Sequence, residues 1–348
     1  MQKVNLRFTL GMKSFASLIF IAVLLMASAC QLSSNKPVYS KVQGPIFGTY
    51  YHITYLHPNG EGLHQAILDK LILFDASLST FNQASVISKV NRNEAVALDE
   101  FFMQMYEEAV WVSTMTSGAF DITAAPLVNA WGFGFDKADR REEPDVAAIL
   151  PYVGYEKIRV DDHQLIKTDE RILLDASAIA KGQAADVIGA LLYDAGCENY
   201  MVEIGGEIAC KGLNPSGEKW QIGINEPVED LFTAEQNLQA VLALTDCGMA
   251  TSGNYRQYYY KNNKKYAHTI NPKTGYPVAH NLLSATVIAN SCMRADALAT
   301  AFMVLGTDSA LSICERLPDV ACYLIYEDEN GEFQTRQSSG FETYLSKE

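Results

Sequence analysis

Three clusters in this 348-residue chain carry side chains able to do chemistry. The first is Leu174-Asp175-Ala176-Ser177-Ala178-Ile179-Ala180-Lys181-Gly182-Gln183-Ala184-Ala185-Asp186, an acid, a hydroxyl and a lysine within two turns where a strand end runs into a helix. A helix N-terminus offers free N–H groups and a positive dipole end, which suits a phosphate or the polar edge of a ring. Small residues at 176, 178, 180 and 182 leave room for a large ligand; read alone, the same stretch is also a capping Asp or Ser before a solvated lysine. The second cluster is Met249-Ala250-Thr251-Ser252-Gly253-Asn254-Tyr255-Arg256 with Ala267-His268-Thr269-Ile270-Asn271-Pro272-Lys273-Thr274-Gly275-Tyr276-Pro277. Its Asn-Pro-Lys-Thr-Gly run is a turn by composition, and His268 ends the strand leading into it. An imidazole of ordinary pKa, about 6.5, can take a proton near neutrality, although a strand histidine also serves packing. The third is Arg294-Ala295-Asp296-Ala297-Leu298-Ala299-Thr300-Ala301, where Asp296 and Thr300 stand at i and i+4 on one helix face. A carboxylate and a hydroxyl near backbone carbonyls are the hard oxygen donors that Mg²⁺ accepts, while Asp296 alone also reads as a cap.

The elements that must position these clusters mix short strands and helices. Ile46 to Leu56 reads as a strand, and Leu63 to Phe74 has apolar residues at helical spacing. Phe101 to Met115 is a second predicted helix, and 136–144 is the best internal break. Strand-like runs at 157–160, 164–168 and 171–174, joined by short polar turns, favour antiparallel hairpins. A helix over 177–193 follows, then strands at 200–204, 220–224, 240–245, 255–260, 266–270 and 284–289. Helices at 295–305 and 308–317 precede two last strands, 321–327 and 333–336. Antiparallel strands with interspersed helices make the expected class α+β, in one catalytic unit.

Composition removes several alternatives. A net charge of −14 with 48% hydrophobic residues describes an acidic globular chain, with none of the clustered Lys and Arg that nucleic-acid binding requires. There is no repeat of 20 to 50 residues, no GxGxxG, no GxxxxGK[ST], no HExxH and no GxSxG. The N-terminus reads as a secretory signal over residues 1–29: Lys3, Arg7 and Lys13 form a basic start, Phe15 to Met26 an apolar run, and Ala27-Ser28-Ala29-Cys30 a small-residue cleavage site. This resembles a bacterial lipobox, which implies lipidation at Cys30 and a tether over 30–43, leaving a body of net charge −17 held on the periplasmic side of a membrane, inner or outer. Six cysteines remain, without a CxxC or Cys/His cluster, so disulfides and buried thiols both stay open.

The order and wording of the blocks resemble the ApbE family of FAD:protein FMN transferases over residues 44–345. The blocks are Ile46-Phe47-Gly48-Thr49-Tyr50, Gly118-Ala119-Phe120-Asp121-Ile122-Thr123, Pro126-Leu127-Val128-Asn129, Trp131-Gly132-Phe133-Gly134, Asp175–Asp186, Glu203-Ile204-Gly205-Gly206-Glu207, Thr251–Tyr255, His268–Pro277 and Ala295–Thr300. The resemblance implies a T-fold-like α+β architecture and a lipid-anchored enzyme that uses FAD and Mg²⁺. It would transfer FMN to a Thr or Ser hydroxyl of an acceptor protein, such as subunits of Na⁺-translocating NADH:quinone reductase or Rnf-type complexes, and release AMP. It places the flavin nucleotide against Phe47, Phe81, Ala119, Phe120, Asp121, Asp175, Lys181 and Ile270, the metal on Asp296, Thr300 and the Ala178 carbonyl, and makes His268 the catalytic histidine. Phe47 stands where the family usually has Met, and Asn271 where it usually has Asp. A FAD-binding scavenger and a FAD pyrophosphatase giving FMN and AMP are the alternative readings of the same residues.

Overall fold

The computed structural model describes residues 38–136, 143–227, 238–254, 258–261 and 264–346. The predicted signal peptide, Cys30, most of the tether, the middle of the 136–144 break and residues 255–257 lie outside the described residues. All elements below belong to the unit from Tyr39 onward. The first strand begins at Ser40, so the last residues assigned to the tether are β1 (Ser40–Ile46), which turns through Phe47 and Gly48 into β2 (Thr49–Leu56). The predicted strand over 46–56 is thus the turn and β2, paired to an unpredicted β1 in register from Ser40↔Tyr55 to Ile46↔Thr49. The turn holds Phe47 at a φ of 49°, in the left-handed region, and its ring packs 5.8 Å from that of Phe74.

Helix α1 (His64–Leu78) buries Ile67, Leu71, Phe74 and Leu78 at the predicted helical spacing. Short α2 (Val86–Asn91) is capped by Ser85, whose side chain accepts from Ser88 N, and α3 (Glu100–Met115) by Asp99, which accepts from Phe102 N. A 3-10 turn at Ile122–Ala124 leads into α4 (Ala125–Ala130), and α5 (Val146–Ile149) precedes the hairpin β3 (Ile158–Asp161) and β4 (Gln164–Lys167). Residues 171–174, predicted as a strand, are irregular. Helix α6 (Ala180–Asp194) starts three residues later than predicted.

An eight-stranded sheet takes up the centre. It joins β1 and β2 to β5 (Asn199–Ile204), β6 (Glu207–Lys211), β9 (Cys247–Gly253), β12 (Leu282–Ala289), β13 (Ala321–Glu327) and β14 (Phe333–Gln337), in that order. Every neighbouring pair is antiparallel, so the fold is α+β as expected. Gly205 and Gly206 join β5 to β6 with φ of 67° and 104°, a two-residue turn that side chains with a Cβ resist. Helix α7 (Cys292–Leu305) packs on β9 and β12, and α6 packs on α7, β5 and β6. α8 (Thr307–Cys314) packs on α7 and β13. The hairpin of β7 (Trp220–Asn225) and β8 (Leu238–Leu244) contributes Trp220, Ile222, Ile224, Leu242 and Leu244 to a second core, with Phe341 and Ile325. Hairpin β10 (Tyr258–Lys261) and β11 (Lys264–Ala267) carries the chain to His268. The six cysteines described are all free thiols.

The approach of α6 to α7 is closer than a side chain allows. A Cβ on Gly182 would lie 2.3 Å from the Cys292 carbonyl oxygen and 2.8 Å from Asp296 Cβ. Gly182→Ala is therefore expected to lower stability by about 1–3 kcal/mol, against the helix propensity that favours alanine. A urea midpoint equal to or above the parent's would refute the close packing.

Candidate active site

Helix α7 builds the first wall of the site. Its cap is Ser291, whose hydroxyl accepts from Arg294 N, so Asp296 is not the cap that its sequence position allowed. Asp296 is instead 2% exposed, one turn inside the helix, and its Oδ2 accepts from Gly182 N at 3.0 Å. Thr300 stands on the same face one turn on, its hydroxyl 3.2 Å from Ser252 Oγ of β9. Asp186, one turn after Gly182, accepts from Cys292 N at 2.9 Å and Met293 N at 2.8 Å and so fixes the start of α7.

The second wall is the entry to α6. Neither Asp175 nor Ser177 caps it: Ile179 occupies the cap position with no side-chain bond. Asp175 Oδ1 accepts from Ser177 N at 2.9 Å and from the Ser177 hydroxyl, folding the segment on itself. Gly182 N, which in a continued helix would bond to the carbonyl four residues back, is taken by Asp296. The Ala178 carbonyl therefore accepts no backbone hydrogen bond from a described residue, and Ala178 lines the cavity. Lys181 reaches Glu207 Oε1 at 3.1 Å and Asp296 Oδ2 at 3.7 Å. Burial works against its charge, but the two carboxylates outweigh this and hold its pKa above the ordinary lysine value. Burial also pushes the Glu207 carboxyl well above the usual carboxylate range, in spite of Lys181.

The third wall comes from the segment after α3. Asp121 spends both oxygens on its surroundings: Oδ1 accepts from Thr123 N at 2.8 Å and the Thr123 hydroxyl at 2.6 Å, and Oδ2 from Tyr155 N at 2.8 Å. Burial raises its pKa although these donors oppose the rise. Asp175 N donates to Ile122 O at 2.8 Å, which ties this wall to the second.

The last wall is the loop after β11. Ile270 bridges Pro277, and Asn271 Oδ1 accepts from Lys273 N at 2.9 Å and Thr274 N at 3.3 Å. Asn271 thus closes an Asx-turn, a task asparagine performs as well as aspartate. Trp131 supports the loop from below, donating Nε1–H to Gly275 O at 2.8 Å and stacking on Tyr266. The His268 ring lies edge-on to Phe133, centroids 6.3 Å apart.

These walls enclose a cavity of about 500 Å³. The structure brings Phe81, Ala119, Phe120, Asp121, Asp175, Ala178, Lys181, His268, Ile270, Asp296 and Thr300 to its surface. Phe47 is absent from that lining; its ring joins the core beside Phe74 and Phe101. Phe81 is 74% exposed at the rim. Sequence reasoning gave no role to Glu207 or Ser252, which also line the cavity. An acid directly after the Gly205-Gly206 turn was the available signal for Glu207. His57 accepts from Asn59 N and Glu61 N and is structural.

No group of three or more His, Cys, Asp or Glu side chains among the described residues could hold a metal. Among the residues lining the cavity, Asp296, Thr300 and Ala178 would offer a carboxylate, a hydroxyl and a backbone carbonyl. That set suits a hard cation that keeps part of its hydration shell.

A family profile, the ApbE family, matches residues 47–324. The chain belongs to the ApbE family. The FAD:protein FMN transferase of Haemophilus influenzae is 38% identical over 344 residues, covering 94% of this chain and 97% of its own. Among solved structures, the flavin transferase ApbE of Vibrio cholerae is 34% identical with a TM-score of 0.79, over 88% of this chain and 99% of its own. The flavinyl transferase ApbE of Pseudomonas stutzeri in its apo form is 30% identical with a TM-score of 0.79, over 89% and 98%.

Burial, against the Met293 and Cys292 N–H donors, brings Asp186 to a pKa of about 7. The native state then keeps a proton that an unfolded aspartate, of pKa ~3.9, releases, so stability falls as pH rises from about 4 to 7. Asp186→Asn cannot ionise and is expected to flatten that slope. Equal slopes for parent and variant in urea titrations across this range would contradict the burial.

Proposed function

We propose that this protein transfers the FMN half of FAD to a Thr or Ser hydroxyl of an acceptor protein, in a Mg²⁺-dependent reaction that releases AMP. The observation that carries the reading is the convergence of His268, Lys181, Ala178, Asp296 and Thr300 on one cavity. Relatives that align over nearly the full chain are FAD:protein FMN transferases, which supports the same activity here.

A diphosphate entering an acidic protein needs cationic partners, and Lys181 supplies one fixed charge at the cavity. Mg²⁺ held by Asp296, Thr300 and the Ala178 carbonyl would polarise the phosphate oxygens and stabilise the leaving group. Phe81, Ala119, Phe120, Asp121, Asp175 and Ile270 line the space available to the nucleotide. The acceptor hydroxyl has a pKa far above neutrality, so its proton must be taken as the oxygen reaches phosphorus. His268 takes that proton while the new phosphorus–oxygen bond forms to FMN and the bond to AMP breaks, a contribution of about 10²–10⁴-fold. Positioning of the two reactants does most of the remaining work. Lipid attachment at Cys30, a periplasmic location and acceptors of the Na⁺-translocating NADH:quinone reductase or Rnf type belong to the same proposal, resting on the lipobox-like sequence and the family.

The test is to incubate the protein with FAD, Mg²⁺ and a candidate acceptor domain and weigh that domain by mass spectrometry. Addition of FMN with release of AMP is expected; free FMN and AMP with an unmodified acceptor would mean a pyrophosphatase, and no turnover a flavin-binding protein. His268→Ala should retain FAD binding and lose transfer by at least about 10²-fold. Unchanged transfer in that variant would remove the base assignment. Asp296→Ala should abolish Mg²⁺-dependent turnover, and full activity in chelator would refute the metal site.

A further inference from the structure

Glu207 is the buried group at the cavity that the proposed reaction leaves without a task. It opens β6 directly after the glycine turn, and its side chain is 6% exposed. One oxygen holds Lys181 Nζ at 3.1 Å; the other, Oε2, is buried and has no hydrogen-bond partner among the described residues. The same ammonium is 3.7 Å from Asp296 Oδ2, beyond hydrogen-bond length. Two carboxyl groups therefore face one ammonium, and Glu207 has the closer hold although burial works against its ionised form.

The competition matters because a lysine paired tightly with Asp296 would neutralise the carboxylate that a divalent ion needs. Charges at 3 to 4 Å in a poorly hydrated site interact strongly, so a small displacement of Nζ changes which carboxylate it serves. The β5–β6 turn lies close against both side chains: a Cβ on Gly205 would lie 3.3 Å from Glu207 Oε2 and 3.3 Å from Lys181 Cδ.

The geometry points to Glu207 as a positioning residue: by holding the Lys181 ammonium it keeps Asp296 free for a divalent cation and leaves the lysine charge facing the ligand diphosphate. This rests on the reading of Asp296 as a metal ligand. It assigns Glu207 no contact with the ion itself.

Mn²⁺ binding to the full protein without FAD, read from the electron paramagnetic resonance of free Mn²⁺ and competed with Mg²⁺, tests the idea apart from turnover. Glu207→Gln, of the same shape without the charge, is expected to weaken Mn²⁺ about tenfold, and in a Lys181→Met background the same change should matter less than about threefold. Glu207→Asp keeps the charge on a shorter arm, so about a threefold loss is expected; it is the readout if the Gln variant does not fold. Parent-like affinity in Glu207→Asp or Glu207→Gln overturns the proposal, as does an equal loss with and without Lys181, which would mean that Glu207 acts on the ion directly. A parent protein that binds no Mg²⁺-displaceable Mn²⁺ overturns the metal reading and this inference with it, a result distinct from failure of the variants alone.

Discussion

The hydrogen bond from Gly182 N to Asp296 Oδ2 is the interaction on which the rest of the site depends. It spans 114 positions of sequence and joins the entry of one helix to the second turn of another. It buries a carboxylate with a partner, which removes much of the cost of placing that charge inside the protein. It also diverts the N–H that would have closed the helix onto Ala178. A carbonyl oxygen and a carboxylate are thereby brought to the same cavity by one contact, and the absence of a Cβ at position 182 is what permits the helices to come so near.

The four walls share little local structure. One is a helix face, one a helix entry, one a loop fastened by Asp121, and one a turn propped on Trp131. The antiparallel sheet gives them a common base, because α6 and α7 both pack against its central strands. Rigid support of this kind suits a reaction in which alignment of hydroxyl, phosphorus and leaving group supplies most of the rate. The lysine lies between two buried carboxyl groups, 3.1 Å from Glu207 and 3.7 Å from Asp296, and their negative charge holds its proton in place.

The parts legible in the sequence were those carried by short-range pattern. The i, i+4 spacing put Asp296 and Thr300 on one face, and apolar periodicity found α1, α3 and α7 to within a few residues. Alternation and turn residues identified the β3–β4 and β13–β14 hairpins, while β1 and β9 had no predicted strand. What local pattern could not give was any feature determined by a distant partner. Asp175 and Ser177 look like helix caps, yet the free N–H at Gly182 is satisfied from α7, and α6 begins only at Ala180. Asp296 looks like a cap by residue type, but Ser291, of equal capping strength, takes that position. β6 was missed because its five residues are nearly all buried and show no alternation. Phe47 was tied to the flavin by resemblance alone, and the left-handed turn that sends its ring toward Phe74 has no marker in the sequence beyond the adjacent glycine.

Because the backbone already engages Oδ2, Asp296 has a single oxygen left to offer. Large, loosely coordinating ions such as Ca²⁺ favour a two-oxygen bite from at least one carboxylate, whereas the smaller Mg²⁺ is content with one-point attachment and a shell of waters. If Asp296 ligates an ion as proposed, a glycine amide thus limits the denticity of a neighbouring acid, and through it favours a small ionic radius.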